Sequence, residues 1–134
     1  MTKHTLFVCK TCNSSSEEVS KDRLSDGTRL LEQLNTLFSE KFPSSQLKIQ
    51  PVGCMWACAC SQGCVVAVSS SEKPTYFITD LSPDESATGL LKFIQLYIRN
   101  GKGVISYGKL KKLLQSANFS QIPRIIPFLD ESAL

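Results

Sequence analysis

The sequence predicts an α/β domain in which a β-α-β unit is followed by a β-β-α unit. The chain has 134 residues, a length typical of one domain with its own core. Hydrophobic residues make up 42% of it and charged residues 20%, as in ordinary globular domains. Short strand patterns alternate with helical ones along the chain. A helix joins the first two strands, so these two strands should be parallel.

The β-α-β unit is predicted from the first third of the chain. Residues 4–9 have the apolar pattern of a short buried strand that ends at Cys9. From Asp26 to Phe42 the apolar residues follow helical spacing, and Pro43 ends this helix. Residues 46–52 alternate between polar and apolar side chains, as a half-buried strand does.

The β-β-α unit follows a cysteine-rich turn. Residues 65–68 and 75–78 are rich in β-branched and aromatic side chains, which predicts a hairpin with its turn at 69–74. The segment 82–85 has the Ser-Pro-Asp-Glu pattern of a capping box. The helix that begins there should end at Asn100, which precedes a glycine.

A C-terminal extension completes the chain. We expect a helix from about Ser106 to Ala117 and an extended strap at 122–128, which contains two prolines. Residues 1–100 should form the domain, and residues 101–134 should pack on it as a helix and a strap.

Charge and hydropathy exclude several classes of protein. Fifteen Lys and Arg against twelve Asp and Glu give a formal charge of +3, which is too small to indicate nucleic-acid binding. The six basic residues between Arg99 and Arg124 have no acidic residue among them and are typical of a solvated helix face or of a docking site for an acidic redox partner. No apolar run approaches the roughly 18–20 residues of a membrane span. The N-terminus lacks a signal-peptide pattern, so we expect a cytoplasmic protein with reduced thiols.

Six cysteines against one histidine form the strongest pattern in the composition. The first group is Cys9-x2-Cys12, and the second is Cys54-x3-Cys58-x-Cys60-x3-Cys64. The groups follow the first and second predicted strands, and parallel neighbouring strands place both loops at the same end of the sheet. Four thiolates from two loops suit tetrahedral zinc or an iron–sulfur cluster. We expect His4 to have a surface or hydrogen-bonded role.

The cysteine motifs carry a resemblance to a known family. A strand with Cys-x-x-Cys at its end, a helix and a second strand precede Gly53-Cys54-Met55-Trp56-Ala57-Cys58, and a hairpin and a helix follow. This order resembles the thioredoxin-like 2Fe–2S ferredoxins. With Gly63-Cys64-Val65-Val66-Ala67-Val68 and the later Lys73-Pro74-Thr75-Tyr76, the chain is more closely similar to an uncharacterised bacterial family of predicted metal-binding proteins. The resemblance covers roughly residues 4–100.

The resemblance implies a thioredoxin-like, cluster-binding domain, a 2Fe–2S cluster and one-electron transfer. The protein would be an electron carrier or redox sensor rather than an enzyme, and it would act with a redox partner protein. The ligands carried over from the family pattern are Cys9, Cys12, Cys54 and Cys58. The lengthened second motif leaves Cys60 and Cys64 open as substitutes, and Cys64 could instead be a buried structural thiol.

Two other functions remain open from the residues themselves. Cys9 and Cys12 stand after the first strand, where a thioredoxin-like dithiol oxidoreductase has its Cys-x-x-Cys, and Lys10 could lower the pKa of one thiol there. The same cysteines could also form a zinc-binding or metal-delivery module. A homodimer formed through the sheet or the strap is compatible with each of these functions.

Overall fold

The computed structural model describes residues 4–9, 26–42, 46–53, 63–82 and 85–124. Within these ranges the chain forms five strands and three helices. In chain order they are β1 (His4–Cys9), α1 (Asp26–Lys41), β2 (Leu47–Val52), β3 (Cys64–Ser70), β4 (Lys73–Leu81), α2 (Ser86–Arg99), α3 (Tyr107–Leu113) and β5 (Asn118–Ile122). The predicted α/β class, with β-α-β followed by β-β-α and a C-terminal helical extension, is confirmed.

The strands form one sheet in the order β2-β1-β3-β4-β5. β1 and β2 are parallel, as the connecting helix requires, and every other neighbouring pair is antiparallel. Helix α1 contacts α2, and both pack over the same face of the sheet. This strand order with its helical layer is compatible with a thioredoxin-like α/β fold.

The main core lies between the sheet and the two long helices. Alternate residues of the central strands, such as Leu6, Val66 and Ile78, are fully buried under α1 and α2. Burying such side chains contributes roughly 1.5–3 kcal/mol each relative to leaving them exposed. The rings of Tyr76 and Tyr97 meet edge to face with their centroids 5.8 Å apart, which anchors the end of α2 on β4.

Helix α2 begins later than the predicted capping box requires. Its N-cap residue is Glu85, whose side chain makes no capping hydrogen bond. The backbone N–H of Ser86 donates to the carbonyl oxygen of Ser82 at 3.3 Å. Ser82 therefore contacts the first residue of α2 through its backbone carbonyl. No helix in the described part of the chain is both long and apolar enough to cross a membrane.

The C-terminal extension contains a strand that the sequence pattern does not predict. Helix α3 ends at Leu113, and β5 pairs antiparallel with β4 from Asn118 to Ile122. Leu110, Leu114 and Ala117 are buried, so the turn between α3 and β5 packs on the main core. The strand is five residues long, and three of its residues are polar (Asn118, Ser120 and Gln121). It therefore has little of the apolar pattern that predicts a strand. Of the predicted strap, residues 125–128 lie outside the described residues.

Candidate metal centre

Three strand ends meet at one end of the sheet, which we call the cysteine end. Cys9, the last residue of β1, pairs with Val52, the last residue of β2. On the other side of β1, Val8 pairs with Val66, so β3 starts beside the end of β1. Adjacent strands lie about 4.8 Å apart. The chain therefore leaves β1 and β2, and enters β3, from three neighbouring positions.

Two of the six cysteines fall within the described residues, and both lie at this end. Cys9 and Cys64 are fully buried. Cys12, Cys54, Cys58 and Cys60 lie outside the described residues. In the sequence, Cys12 follows the end of β1 by three positions and Cys54 follows the end of β2 by two.

Cys9 and Cys64 belong to opposite faces of the sheet. Cys64 packs in the main core with Val66, on the face that α1 and α2 cover. Cys9 packs with Val65, and Phe77 packs against this pair on the other face. The alternation of side chains along a strand explains the separation, because Cys64 and Val65 are consecutive residues of β3.

The start of β3 is held by a close backbone approach. A Cβ on Gly63 would lie 2.5 Å from the carbonyl oxygen of Leu81, at the end of β4, so only glycine fits there without a shift. The neighbouring Asp80 has a positive φ of 61°. Its carboxylate accepts hydrogen bonds from the Thr79 hydroxyl and the Asn118 amide, which stabilise this bend. Asp80 is not predictable from the sequence, because no local pattern marks a strand-end aspartate with this conformation.

The described residues alone do not complete a metal site. Among them, no group of three or more His, Cys, Asp or Glu side chains is arranged to hold a metal ion. His4 lies at the other end of β1 from Cys9. It is buried, and its Nδ1 lies 3.1 Å from the carbonyl oxygen of Gln46. The expectation of a hydrogen-bonded role therefore matches the contacts of His4.

A buried lysine occupies that opposite end, which we call the lysine end. The Lys73 ammonium donates to the carbonyl oxygens of Tyr97 at 2.7 Å and Ile98 at 3.2 Å, in the last turn of α2. It also lies 2.9 Å from Nε2 of His4. Gly103, with φ 67°, packs over the side chain, and a Cβ there would lie 2.7 Å from Cβ of Lys73. The lysine therefore joins β1, β4 and α2.

Tyr97 completes the lysine end. Its ring lies 5.1 Å from the Lys73 ammonium, and its hydroxyl donates to the carbonyl of Pro74 at 2.7 Å. Burial, with a smaller effect of the neighbouring Tyr76, raises the pKa of the Tyr97 hydroxyl above its ordinary value. The hydroxyl therefore stays protonated and remains a donor. This cluster is not predictable from the sequence, because a lysine beside a hairpin turn ordinarily lies in solvent.

A cleft of about 870 Å³ also opens at the lysine end. It lies on the sheet face away from α1 and α2, between Phe7, Thr75 and Ile122, with Arg124 at its wall. The cleft is therefore at the opposite end of the strands from Cys9. Size alone does not connect it with the cysteine chemistry, so we assign the candidate site by the thiols.

Comparison with known proteins places the chain in a family. Residues 6–124 match the family described as "Protein of unknown function (DUF1636)". The chain belongs to this family. The matched span of the DUF1636 protein includes all six cysteines. No curated protein and no solved structure matches the chain.

Proposed function

We propose that this protein is a 2Fe–2S ferredoxin-like one-electron carrier or redox sensor of the cytoplasm. The ligands would be Cys9, Cys12, Cys54 and Cys58. The observation that supports the proposal is the parallel pairing of Cys9 with Val52. Because of this pairing, the segment that contains Cys12 and the segment that contains Cys54 both begin at neighbouring strand ends.

The surroundings of Cys9 suit a thiolate ligand of such a cluster. A bound 2Fe–2S cluster would supply a centre that accepts and releases one electron. Val65 and Phe77 pack at Cys9 and exclude water from its sulfur, and limited solvent access is one way in which a protein tunes the potential of a metal centre. With four thiolates and no histidine in the motifs, the site differs from a Rieske centre, which needs two histidine ligands.

The same packing favours Cys64 as a structural thiol. Its side chain belongs to the main core under the helices, whereas Cys9 lies on the other face. A single cluster bound by both residues would have to contact both faces of the sheet at the first residue of β3. We therefore keep Cys64 out of the ligand set, and Cys60 stays the substitute for Cys58.

The dithiol alternative departs from the thioredoxin-like pattern in the sequence distance between Cys12 and α1. In a thioredoxin-like dithiol, the N-terminus of the following helix lowers the pKa of the reactive thiol. Here α1 begins at Asp26, and residues 13–25 separate it from Cys12. The first described helix therefore begins 14 residues after Cys12 in the chain, instead of directly behind the Cys-x-x-Cys pair.

Anaerobic purification of the full chain, followed by visible absorption and by iron, sulfide and zinc analysis, tests the proposal. We expect a brown protein with about two irons and two sulfides per chain. A colourless protein with about one zinc ion per chain would contradict it and establish a zinc module instead. A protein without metal that reduces insulin disulfides would equally contradict it and identify a dithiol oxidoreductase.

A further inference from the structure

Positive charge is concentrated in one C-terminal part of the chain. Residues 99–124 contain six Lys and Arg and no Asp or Glu. The other nine of the fifteen basic residues stand against all twelve acidic ones, so the rest of the chain has a formal charge of −3. Five of the six basic side chains are exposed, namely those of Arg99, Lys102, Lys109, Lys112 and Arg124. The net charge of +3 is therefore the sum of +6 in residues 99–124 and −3 in the rest of the sequence.

Exposed apolar side chains occur in the same segment. Within the described ranges, the large hydrophobic residues that are exposed are Val104 at 55%, Tyr107 at 62% and Ile122 at 55%. All three lie between Arg99 and Arg124 in the sequence, and Ile122 is on the sheet face away from the helices, where it lines the cleft. A solvated helix face needs no such residues, whereas protein interfaces combine apolar and aromatic contacts with a polar rim.

Side-chain contacts hold this surface in one arrangement. The ring of Tyr107 packs edge to face on Phe119 of β5, with centroids 6.2 Å apart. The Lys111 ammonium lies 5.9 Å from the Phe119 ring centroid and donates to the carbonyls of Gln115 at 3.1 Å and Ala117 at 2.9 Å. A surface that is ordered before binding loses less conformational entropy when a partner docks.

We propose that α3 and β5, with the turn at 100–106, form a docking surface for an acidic protein partner. We call this surface the cationic edge; it comprises residues 99–124. Its exposed lysines and arginines would meet carboxylates, and Tyr107 would provide a central apolar contact, as tyrosine often does in interfaces. Among the described residues β5 is the outermost strand on its side of the sheet, so the acidic segment of the partner would pair along it.

The chemistry of the cationic edge favours an acidic protein over other occupants. Two copies of this chain joined symmetrically through it would place six positive charges against six, which opposes such a dimer. Nucleic-acid backbones attract lysine and arginine, but they offer no apolar surface to Val104. An acidic protein segment satisfies both the charges and the exposed apolar residues.

The inference is independent of the proposed cluster. Strands β3 and β4 separate β5 from β1, so a partner on the cationic edge lies about 14 Å from β1 across the sheet. Protein freed of metal should therefore bind the same partner. Failure of one proposal therefore leaves the other intact.

An eight-residue peptide of alternating glutamate and leucine serves as the probe, with its binding to the full chain followed by backbone-amide NMR shifts. We expect the shifts to centre on β5 and Tyr107. In the variant Lys109→Glu/Lys112→Glu the affinity for the peptide should fall at least about tenfold. The affinity of the parent protein for the peptide should also fall as salt is added. The matched control is Lys41→Glu/Lys48→Glu, which makes the same charge change at exposed residues of α1 and β2. Tyr107→Ala should weaken binding without changing the charge.

Two classes of outcome would overturn the inference. If the control variant weakens peptide binding as much as the Lys109 and Lys112 variant does, the attraction comes from net charge and the cationic edge is no site. If a 20-base-pair DNA duplex or vesicles of anionic phospholipid bind more tightly than the peptide at equal salt, or if the peptide causes no shifts at β5, the partner class is wrong.

Discussion

The ammonium of Lys73 lies 2.9 Å from Nε2 of His4, and both side chains are more than nine-tenths buried. Because the Gln46 carbonyl can only accept, Nδ1 of His4 carries the proton and Nε2 accepts from the lysine. The other donors of Lys73 satisfy carbonyls in the last turn of α2, where a cation also interacts favourably with the helix dipole. One side chain thus fixes the start of β1 and of β4 against the end of α2.

Lys73→Met should lower the free energy of unfolding by about 2–4 kcal/mol, because it leaves buried carbonyl and imidazole acceptors without their donor. Urea denaturation followed by circular dichroism measures the change. Lys48→Met, at an exposed position of β2, is the matched control and should change stability by less than about 0.5 kcal/mol. Equal effects of the two substitutions would show that the hydrogen bonds of Lys73 contribute nothing.

A double-mutant cycle isolates the contact between Lys73 and His4. Combining Lys73→Met with His4→Phe should cost less than the sum of the two single changes, with a coupling of about 0.5–3 kcal/mol. The reason is that each single variant already breaks the hydrogen bond between the two side chains. Strict additivity in the same urea titrations would contradict a direct interaction.

Stability at alkaline pH should depend on Tyr97. Its pKa is raised in the folded protein, so above its ordinary value of 10.0 the unfolded chain loses this proton first. The stability that Tyr97 contributes is present below pH 10 and is lost as the pH rises toward the folded pKa, at up to about 1.4 kcal/mol per pH unit.

Tyr97→Phe removes this dependence. At pH 7 the variant should be less stable by about 1 kcal/mol, since it loses the hydrogen bond to Pro74. Above pH 10 the unfolding free energies of the two proteins should converge. Curves that stay parallel up to pH 11.5 would show that burial does not hold the proton on Tyr97.

The local pattern of the sequence was enough to predict the β-α-β and β-β-α order, because each long element carries its own periodicity. The lysine end was not predictable in this way. Lys73 forms hydrogen bonds with a histidine 69 positions away and with the end of a helix 24 positions away. A local sequence pattern spans too few residues to include these partners. Strand β5 was missed for the same reason, since its pairing with β4 rather than its composition defines it.

The candidate site was predictable to the level of strand ends. A helix between β1 and β2 predicts that Cys9 and the end of β2 meet, and the register pairs Cys9 with Val52. Cys64 was expected at the start of the strand at 65–68, as a substitute ligand or a buried structural thiol, but the sheet face on which it lies was not predicted. Only the observed start of β3 at Cys64 assigns that thiol to the helix-covered face.

Gly63→Ala should destabilise the cysteine end by about 1–3 kcal/mol, because the new methyl group would meet the backbone oxygen of Leu81. Gly53→Ala is the matched control, since a Cβ there meets nothing within 4 Å. It should leave stability within about 0.5 kcal/mol of the parent. Thermal unfolding of the two variants measures the difference, and a Gly63 variant as stable as the Gly53 variant would contradict the close approach of β3 and β4.

Cys9→Ala and Cys64→Ala form a matched pair, because both remove one sulfur from a fully buried side chain at the same end of the sheet. Each should cost about 1–2 kcal/mol of stability through the cavity that it leaves. Their effects on bound metal should differ, since Cys9 is a proposed ligand and Cys64 belongs to the main core. Iron per chain and visible absorption should fall to near zero in the Cys9 variant and stay at the parent level in the Cys64 variant. Loss of iron from both would place Cys64 among the ligands, and retention in both would remove Cys9 from them, so the comparison separates ligation from packing at each thiol.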